Sequence, residues 1–197
     1  MSEFPEIFVL RHGQTEWNSI GRHQGRMDSA LTENGKGQAR QQSAILAKLL
    51  DGYSNVDAYC SPQGRAFDTA QIVLEPMEML ATTDDRLCEI SFGRWEGLTF
   101  DEIASGWPEL CKYADQDMFG WNFQAPGGER FEDMCGRVKS FLDGLTNPTV
   151  IITHGITSHV LRGLWLGVGQ DEMAALAGGQ GCVYHLKDSR QQRFPND

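Results

Sequence analysis

The sequence predicts an α/β protein in which helices cover a mostly parallel central sheet. Short apolar, β-branched runs alternate along the chain with segments of helical periodicity, as in parallel sheets whose strands are joined by helices. Two of these predicted strands, residues 7–10 and 149–153, lead into His-Gly pairs at His12-Gly13 and His154-Gly155. Because open α/β sheets bind ligands beyond the carboxyl ends of their strands, the two pairs indicate one shared site.

Local signals predict the other elements. Thr32 is a favourable helix N-cap, Ser61-Pro62 is typical of a helix start, and Thr99 forms a capping box with Glu102. In chain order we predict a glycine-rich loop (19–30), a helix (33–50), a strand (56–60), a helix from 61, a short helix from 99, a helix (129–145), a helix (156–166) and a last strand (182–186). We expect the polar tail, residues 187–197, to be frayed.

Composition excludes some classes of partner. The chain has 197 residues, of which 40% are hydrophobic and 22% charged, as in ordinary globular proteins. We therefore predict a single domain, residues 1–197, with an aromatic-rich cap or loop segment at about 99–128. The formal net charge of -10 and the lack of a Lys/Arg run argue against a nucleic-acid partner.

The expected location is the cytoplasm. The N-terminal residues show neither the positive region nor the apolar core of a signal peptide, and no apolar run reaches the length of a membrane span. The five cysteines are an odd number at irregular spacings, which predicts neither a disulfide framework nor a CxxC metal pair. A reduced setting and no membrane partner are the consistent expectations.

His12 is the first candidate catalytic residue. It follows Arg11, whose guanidinium fork suits phosphate geometry, and it precedes Gly13, which we expect to let the backbone turn and approach a ligand. Alone, this tripeptide is better explained as a capped strand end with a surface arginine. The second His-Gly pair, at His154, favours a catalytic role instead, because core packing does not explain why two strands each lead into a His-Gly pair.

Arg65 is the second cationic candidate. It falls in the first turn of the helix predicted to start at Ser61, on the same sheet edge as His12. A cation there opposes the helix macrodipole, which favours an anionic neighbour over the alternative of a solvent-facing side chain. The helix that follows His154 would point its first amide groups at the same place.

Three features have two interpretations each when only the residues are considered. The loop side chains Arg22, His23 and Gln24 either line the site or form a solvated connection. Glu89 and Glu96 both lie among aromatics and glycines, where a carboxyl group can hold a proton, and spacing does not choose between them. The segment 106–128 is either a lid or a satellite core. Its aromatic and apolar side chains include Trp107, Tyr113, Met118, Phe119, Trp121 and Phe123.

The groups expected at this edge suit phosphoryl transfer. That reaction needs an in-line nucleophile, positive charge around the equatorial oxygens and a proton for the leaving group. One histidine can form a covalent intermediate, Arg11 and Arg65 can supply the charge, and a glutamate can be the acid. We predict no metal and no other cofactor, because the arginines supply the charge that a metal would.

These motifs resemble the histidine phosphatase superfamily, which includes cofactor-dependent phosphoglycerate mutase and fructose-2,6-bisphosphatase. The matching segments run in family order over most of the chain, and they are residues 11–18, 24–35, 61–70, 87–97, 126–129 and 153–155. One departure is Gln63-Gly64, where the family more often has a leucine and a variable residue. We expect Gly64 to loosen the first turn of the Arg65 helix.

The resemblance implies a three-layer α/β/α sandwich of the phosphoglycerate mutase type, and it implies roles for the site residues. His12 would be the phosphohistidine nucleophile, and Glu89 rather than Glu96 the proton donor. The phosphate-binding set would be Arg11, Asn18, Gln24, Gly25, Arg65, His154 and Gly155. The resemblance gives no catalytic role to His23, His159 and His185.

The implied activity is a metal-independent phosphatase that acts on a small phosphorylated metabolite. A phosphoglycerate mutase-type phosphoryl transfer is the alternative, although the chain is short for that group. A noncatalytic phospholigand-binding member is a further alternative, and the intact catalytic positions argue against it. The sequence names no natural substrate, and it leaves the oligomeric state, a homodimer included, open.

Overall fold

The computed structural model describes residues 4–112 and 114–195. A sheet of six strands in the order β3-β2-β4-β1-β5-β6 forms the centre of the protein. The strands are β1 (Ile7–Arg11), β2 (Asp57–Cys60), β3 (Thr82–Thr83), β4 (Thr149–Thr153), β5 (Val183–Lys187) and β6 (Arg190–Phe194). Neighbouring strands from β3 to β1 are parallel, whereas β5 is antiparallel to β1 and to β6. The mostly parallel sheet of the prediction is thereby confirmed.

Helices cover both faces of the sheet. They are α1 (Glu16–Ser19), α2 (Glu33–Leu49), α3 (Gly64–Leu74), α4 (Phe100–Gly106), α5 (Pro108–Cys111), α6 (Met118–Trp121), α7 (Phe131–Leu142), α8 (Gly155–Leu166) and α9 (Gln170–Ala175). Short 3₁₀ turns occupy Glu75–Met77, Asp85–Leu87, Gly93–Trp95 and Asn122–Gln124.

The side chains of β1 divide the core into two layers. Phe8 and Leu10 pack with α2 and α3 on one face, and Ile7 and Val9 pack with α7 and α8 on the other. This division follows from the alternation of side chains along a strand. All four residues are fully buried, as expected of a central strand whose sheet is covered on both faces. The result is the three-layer α/β/α sandwich.

Strand register brings the two His-Gly pairs together. Arg11 at the end of β1 lies opposite Thr153 at the end of β4. The next residue continues this ladder, because the His12 amide donates to the Thr153 carbonyl at 2.9 Å. His12 and His154 therefore leave the sheet side by side at its carboxyl edge, as predicted.

The predicted frayed tail is wrong, because residues 190–194 form β6. This strand pairs with β5 through a two-residue turn at Asp188 and Ser189, whose φ angles are 51° and 57°. Positive φ at both central residues matches the right-handed twist of a hairpin. The turn contains no glycine and the strand is polar, so neither of the usual hairpin signals is present in the sequence.

The predicted helix start at Ser61 is also wrong. The helix α3 begins at Gly64, and the Ser61 hydroxyl accepts a hydrogen bond from the Gln63 amide at 3.3 Å. The carboxylate of Asp28, from a distant loop, accepts from the Arg65 amide at 3.2 Å instead. Arg65 nevertheless lies in the first turn, as predicted.

The aromatic segment packs into the main core. Trp121 is 1% exposed and stacks on Trp95 with ring centroids 4.5 Å apart, and Phe119 is buried beside Phe123. Among the described residues of this segment, only Met118, Phe119 and Asn122 reach the pocket described below. Tyr113 lies outside the described residues. Among the helices of residues 4–112 and 114–195, none has the length and apolar character needed to cross a membrane.

Candidate active site

A pocket of about 450 Å³ opens at the carboxyl ends of β1 and β4. Most of the predicted site residues line it, namely Arg11, His12, Asn18, Gln24, Gly25, Arg65, Glu89 and Gly155. His154 lies next to it in the protein interior, with its ring centroid 5.2 Å from that of His12. The structure therefore gathers the predicted set in one place.

His12 is held as a neutral imidazole with one free nitrogen. Its Nδ1 lies 2.7 Å from the Gly13 carbonyl oxygen, which can only accept a hydrogen bond, so the proton is on Nδ1 and the lone pair is on Nε2. Burial lowers the pKa of His12 well below its ordinary value, and the charges of Arg11 and Arg65 lower it further. A neutral ring with a lone pair is the form of histidine that can act as a nucleophile.

Gly13 permits a close contact within the protein, whereas the sequence predicted a close approach to a ligand. A Cβ at this position would clash with the backbone carbonyl of Gly35, in the first turn of α2. The glycine therefore lets the chain pass close to α2, and its amide donates to the Thr69 hydroxyl at 3.1 Å. These contacts fix the backbone that carries His12.

Arg65 is 2% exposed, and a neighbouring loop holds its guanidinium. Its Nη1 donates to the Met27 carbonyl at 2.7 Å and to Asp28 Oδ1 at 2.9 Å, and its Nη2 donates to the Gly25 carbonyl at 3.0 Å. Gly25 adopts a positive φ of 52°, and a Cβ there would clash with the Glu96 carboxylate. The glycine thus lets the loop come close enough to hold the arginine.

Four buried nitrogens close to His12 have no hydrogen-bond partner among the described residues. They are Arg11 Nε, Arg65 Nε and both ring nitrogens of His154. Burial lowers the pKa of His154 well below its ordinary value, and Arg65, His12 and Arg11 add to the effect. Buried N–H groups without partners are costly, and an anion with several acceptor oxygens would pair with the two arginine Nε–H groups and with the one N–H of the neutral His154 ring.

Glu89 faces the pocket and is fixed by the first turn of α8. Its Oε2 accepts from the Ile156 amide at 3.2 Å, and its Oε1 accepts from the Thr157 amide at 3.1 Å and from the Thr157 hydroxyl at 2.9 Å. The sequence predicted that these helix amides would face a ligand. Two of them bind a carboxylate of the protein instead.

Glu96 has a different environment. Its Oε1 accepts from the amides of Arg26 and Phe92 and from the Ser91 hydroxyl, each at 3.1 Å. It is not among the residues that line the pocket. Of the two alternatives that the sequence left open, Glu96 is therefore the carboxylate that holds loop backbone.

Asn18 and Gln24 line the pocket, but their side chains already have protein partners. Asn18 Oδ1 accepts from the Thr15 amide at 3.2 Å within a capping box. Gln24 donates to the Thr15 hydroxyl at 2.9 Å and accepts from the Ser29 hydroxyl at 3.0 Å. These bonds order the segment that follows His12.

Gln63 joins the loop that holds Arg65 to the segment that carries Glu89, a connection that the sequence did not reveal. Its Nε2 donates to the Gly25 carbonyl at 2.8 Å, and its Oε1 accepts from the Glu89 amide at 2.7 Å. The adjacent Gly64 has no room for a Cβ beside the Asp28 carboxylate. The departure at Gln63-Gly64 therefore lets Asp28 approach the helix and joins the Arg65 loop to Glu89.

His159 also lines the pocket, although the sequence gave it no role. Its Nδ1 lies 3.0 Å from the Met173 carbonyl, and its ring stacks on Phe119 at 5.9 Å. Burial is the main cause that lowers its pKa to about 4. Helical spacing puts His159 one turn after Gly155 on the same face of α8, and this spacing was the available signal.

The comparisons with known proteins agree with this architecture. The model of the histidine phosphatase superfamily (branch 1) matches residues 7–194. Phosphoserine phosphatase 1 from Hydrogenobacter thermophilus is 30% identical over 196 residues, which cover 94% of this chain and 88% of that protein. The metal-independent phosphoserine phosphatase from Arabidopsis thaliana is 32% identical over 201 residues, which cover 96% of this chain and 79% of that protein.

A solved structure is similar over the same extent. The mycobacterial glucosyl-3-phosphoglycerate phosphatase, in complex with VO₃, has a TM-score of 0.79 to this chain at 29% identity, with 96% of each chain covered. Fold, motif order and relatives thus agree. The chain belongs to the histidine phosphatase superfamily, branch 1, and is a phosphoric monoester hydrolase.

Proposed function

We propose that the chain hydrolyses a small-molecule phosphate monoester through a phosphohistidine intermediate on His12. The observation that carries the proposal is the group of four unpartnered buried nitrogens, on Arg11, Arg65 and His154, beside the neutral His12 ring. A phosphoryl group supplies acceptor oxygens for the arginine N–H groups and for the one N–H of the neutral His154 ring, and an electrophilic phosphorus for the imidazole of His12.

In the first step, His12 Nε2 attacks phosphorus and the bond to the leaving alcohol breaks. Glu89 donates its proton to the leaving oxygen. The ring becomes positively charged as the N–P bond forms, and the Gly13 carbonyl, 2.7 Å from Nδ1, stabilises that charge. Arg11, Arg65 and His154, helped by Asn18, Gln24, Gly25 and the Gly155 amide, hold the equatorial oxygens.

In the second step, water attacks the phosphohistidine. Glu89, now a carboxylate, takes a proton from the water while the N–P bond breaks, and inorganic phosphate leaves. The same carboxylate acts as acid and then as base, so its position has to stay fixed in both steps. The bonds from Ile156 and Thr157 at the start of α8 provide that fixed position.

Trapping the intermediate tests the mechanism. Quenched turnover of a ³²P-labelled substrate should leave label on the protein that is stable to alkali and labile to acid. The label should map to His12 and be absent in His12→Ala. Label on His154, with His12→Ala still active, would show that the two histidines have the opposite roles.

The proposed mechanism uses no metal. Excess EDTA should leave turnover of p-nitrophenyl phosphate intact, and vanadate, which mimics the five-coordinate phosphorus, should inhibit it. Loss of activity in EDTA and its rescue by a divalent cation would contradict this site. Isomerisation of 3-phosphoglycerate in the presence of a bisphosphoglycerate primer, at a rate above its hydrolysis, would indicate a mutase instead.

We further propose that the enzyme is a single domain, residues 1–197, that acts on metabolites in the cytoplasm. The acidic chain and the small pocket support a small-molecule partner over nucleic acid. Light scattering of the purified chain distinguishes a monomer from a homodimer.

A further inference from the structure

The pocket continues beyond the phosphate-binding group into a second region, which we call the leaving-group end. It is defined by Arg22, His23, Phe92, Met118, Phe119 and His159. These residues come from the 22–25 loop, the segment that contains Phe92, α6 and α8, and none follows β1 or β4 directly. Whatever alcohol is esterified to the phosphoryl group has to lie against this surface.

Three apolar side chains dominate the leaving-group end. Phe92 and Phe119 are 6% and 8% exposed, so both are fixed by the core, and Met118 at the mouth is 48% exposed. Ile156 and Ala174 extend this apolar surface, and the polar Asn122 beside it already donates from Nδ2 to the Met118 carbonyl at 2.6 Å. An apolar body of the substrate would gain contact here, whereas a strongly hydrated group would lose its water.

The one cation of the leaving-group end is already paired. Arg22 Nη1 donates to the Gly97 carbonyl and lies 3.3 Å from Glu102 Oε2. The Arg22 guanidinium is also 5.9 Å from the centre of the Trp17 ring. A substrate carboxylate would have to compete with Glu102 for this group.

The two histidines of this end add no positive charge. His23 Nδ1 lies 3.3 Å from the Leu98 carbonyl, and its ring packs edge-on against Phe92 and Trp121. Burial lowers the pKa of His23, and His159 is lowered to about 4, so both rings are neutral at pH 7. Neutral rings of this kind can exchange a hydrogen bond with a hydroxyl group but do not balance a carboxylate.

The pocket also has no spare carboxylate for a substrate ammonium group. Among the described residues that line it, Glu89 is the single acid, and the proposed mechanism needs it protonated, and so uncharged, when the substrate binds. A zwitterionic alcohol such as serine would therefore leave both of its charges without a counter-ion. Unpaired charges in a partly desolvated site are strongly disfavoured.

We propose that the preferred substrates are phosphate monoesters whose leaving alcohol is uncharged and has an apolar or aromatic body. This inference rests on the proposed phosphatase function and deepens it. It separates the chain from phosphatases that act on amino-acid or carboxylic-acid phosphates. The apolar body packs on Phe92 and Phe119, and its oxygen lies within reach of Glu89.

The test compares alkyl phosphates that differ in charge. Benzyl phosphate carries an uncharged aromatic alcohol, O-phosphoserine carries both charges, 3-phosphoglycerate carries a carboxylate, and phosphoethanolamine carries an ammonium group. All four have alkyl leaving groups, so intrinsic reactivity does not dominate the comparison. We expect kcat/KM for benzyl phosphate to exceed each of the others by about 10²-fold. A charged substrate that equals or exceeds benzyl phosphate would overturn the proposal.

A variant that supplies the missing charge sharpens the test. Met118→Lys puts a cation at the exposed mouth, and it should raise the 3-phosphoglycerate to benzyl phosphate ratio roughly tenfold. Leu80→Lys is the control, because Leu80 is 94% exposed and does not line this pocket. An unchanged ratio in Met118→Lys, or a 3-phosphoglycerate activity that Arg22→Gln abolishes, would contradict the proposal.

If folded protein hydrolyses neither these substrates nor p-nitrophenyl phosphate, the proposed phosphatase function itself fails.

Discussion

The two ends of the pocket differ in what their polar atoms already bind. At the phosphate end, Arg11 Nε, Arg65 Nε and both nitrogens of His154 are buried without protein partners. At the leaving-group end, Arg22 and His23 bind the carbonyls of Gly97 and Leu98. The first end keeps strong donors for an anion, and the second satisfies its donors within the fold. Charge recognition is thus concentrated at the phosphate end, whereas the leaving-group end distinguishes substrates by their shape.

The largest effect should come from removing the nucleophile. His12→Ala should lower kcat by at least about 10⁴-fold, because no other group can form the covalent intermediate. His23→Ala, at the leaving-group end, removes a neutral packed ring and should lower kcat/KM by less than about tenfold. Steady-state kinetics with p-nitrophenyl phosphate measures both. Equal losses would show that the two ends are not functionally distinct.

Glu89 and Glu96 should give the next largest difference. Glu89→Gln should lower kcat/KM for benzyl phosphate by about 10²–10⁴-fold, because an alkoxide leaves poorly without a proton. The same variant should change p-nitrophenyl phosphate turnover far less, since nitrophenolate departs without help. Glu89→Gln slowing both substrates equally would remove the acid role from Glu89.

Glu96→Gln is the matched control for this comparison. It loses the charge-assisted bonds to Arg26, Ser91 and Phe92, so it should lower Tm by a few degrees and leave the ratio of the two substrates unchanged. A leaving-group dependence in Glu96→Gln would transfer the acid role to that residue.

The two ends also differ in how far the sequence predicts them. His12 and His154 directly follow the buried strands β1 and β4, and Arg65 lies in the first turn of α3, so strand order alone brings them together. Phe119 reaches the pocket only because α6 packs against α9 and its ring stacks on His159 of α8. No local pattern specifies that packing.

The same distinction explains the individual errors. The helix start at Ser61 was predicted from a local cap, whereas the N-cap residue is Gln63, and the first turn is bonded to the Asp28 carboxylate, 37 positions away from Arg65. Gln63 departed from the family pattern, and only the three-dimensional structure shows that it binds both Gly25 and Glu89. Roles that depend on contacts between distant segments were the ones that could not be predicted.

Gln63 tests whether the loop that holds Arg65 positions Glu89, because its side chain bonds to both. Gln63→Leu removes both of its hydrogen bonds, so the Gly25 carbonyl and the Glu89 amide lose a partner, and kcat/KM for benzyl phosphate should fall about tenfold. The loss should be larger for benzyl than for p-nitrophenyl phosphate, because a misplaced Glu89 matters most for the poorer leaving group. Gln71→Leu, an exposed change on the same helix, should have no effect. Equal loss with both substrates would show that Gln63 supports the fold and does not position Glu89.

The smallest predicted effect is the dependence of the free energy of unfolding on pH, to which histidines of both ends contribute. Burial lowers the pKa of His12, His23, His154 and His159 in the folded protein, whereas an unfolded histidine titrates near 6.5. Below pH 6.5 the unfolded state therefore binds more protons, so the free energy of unfolding falls with acidification. Each histidine contributes at most about 1.4 kcal/mol per pH unit, and the contribution of His159 ends near its folded pKa of about 4. Tm should thus be steady above pH 7 and decrease by several degrees from pH 6.5 to 5.

Single substitutions measure how much of this decrease in Tm is caused by the histidines of each end. His154→Asn and His159→Asn should each flatten the decrease of Tm between pH 6.5 and 5, and Gln71→Leu should retain it. Vanadate should raise Tm in the wild type by binding the folded state, and the increase should be lost in His154→Asn but kept in His159→Asn. Melting curves over pH 5–8, with and without vanadate, measure all of these. If His159→Asn also lost the vanadate effect, the leaving-group end would take part in anion binding, and the division of the pocket into a charged end and a neutral end would be wrong.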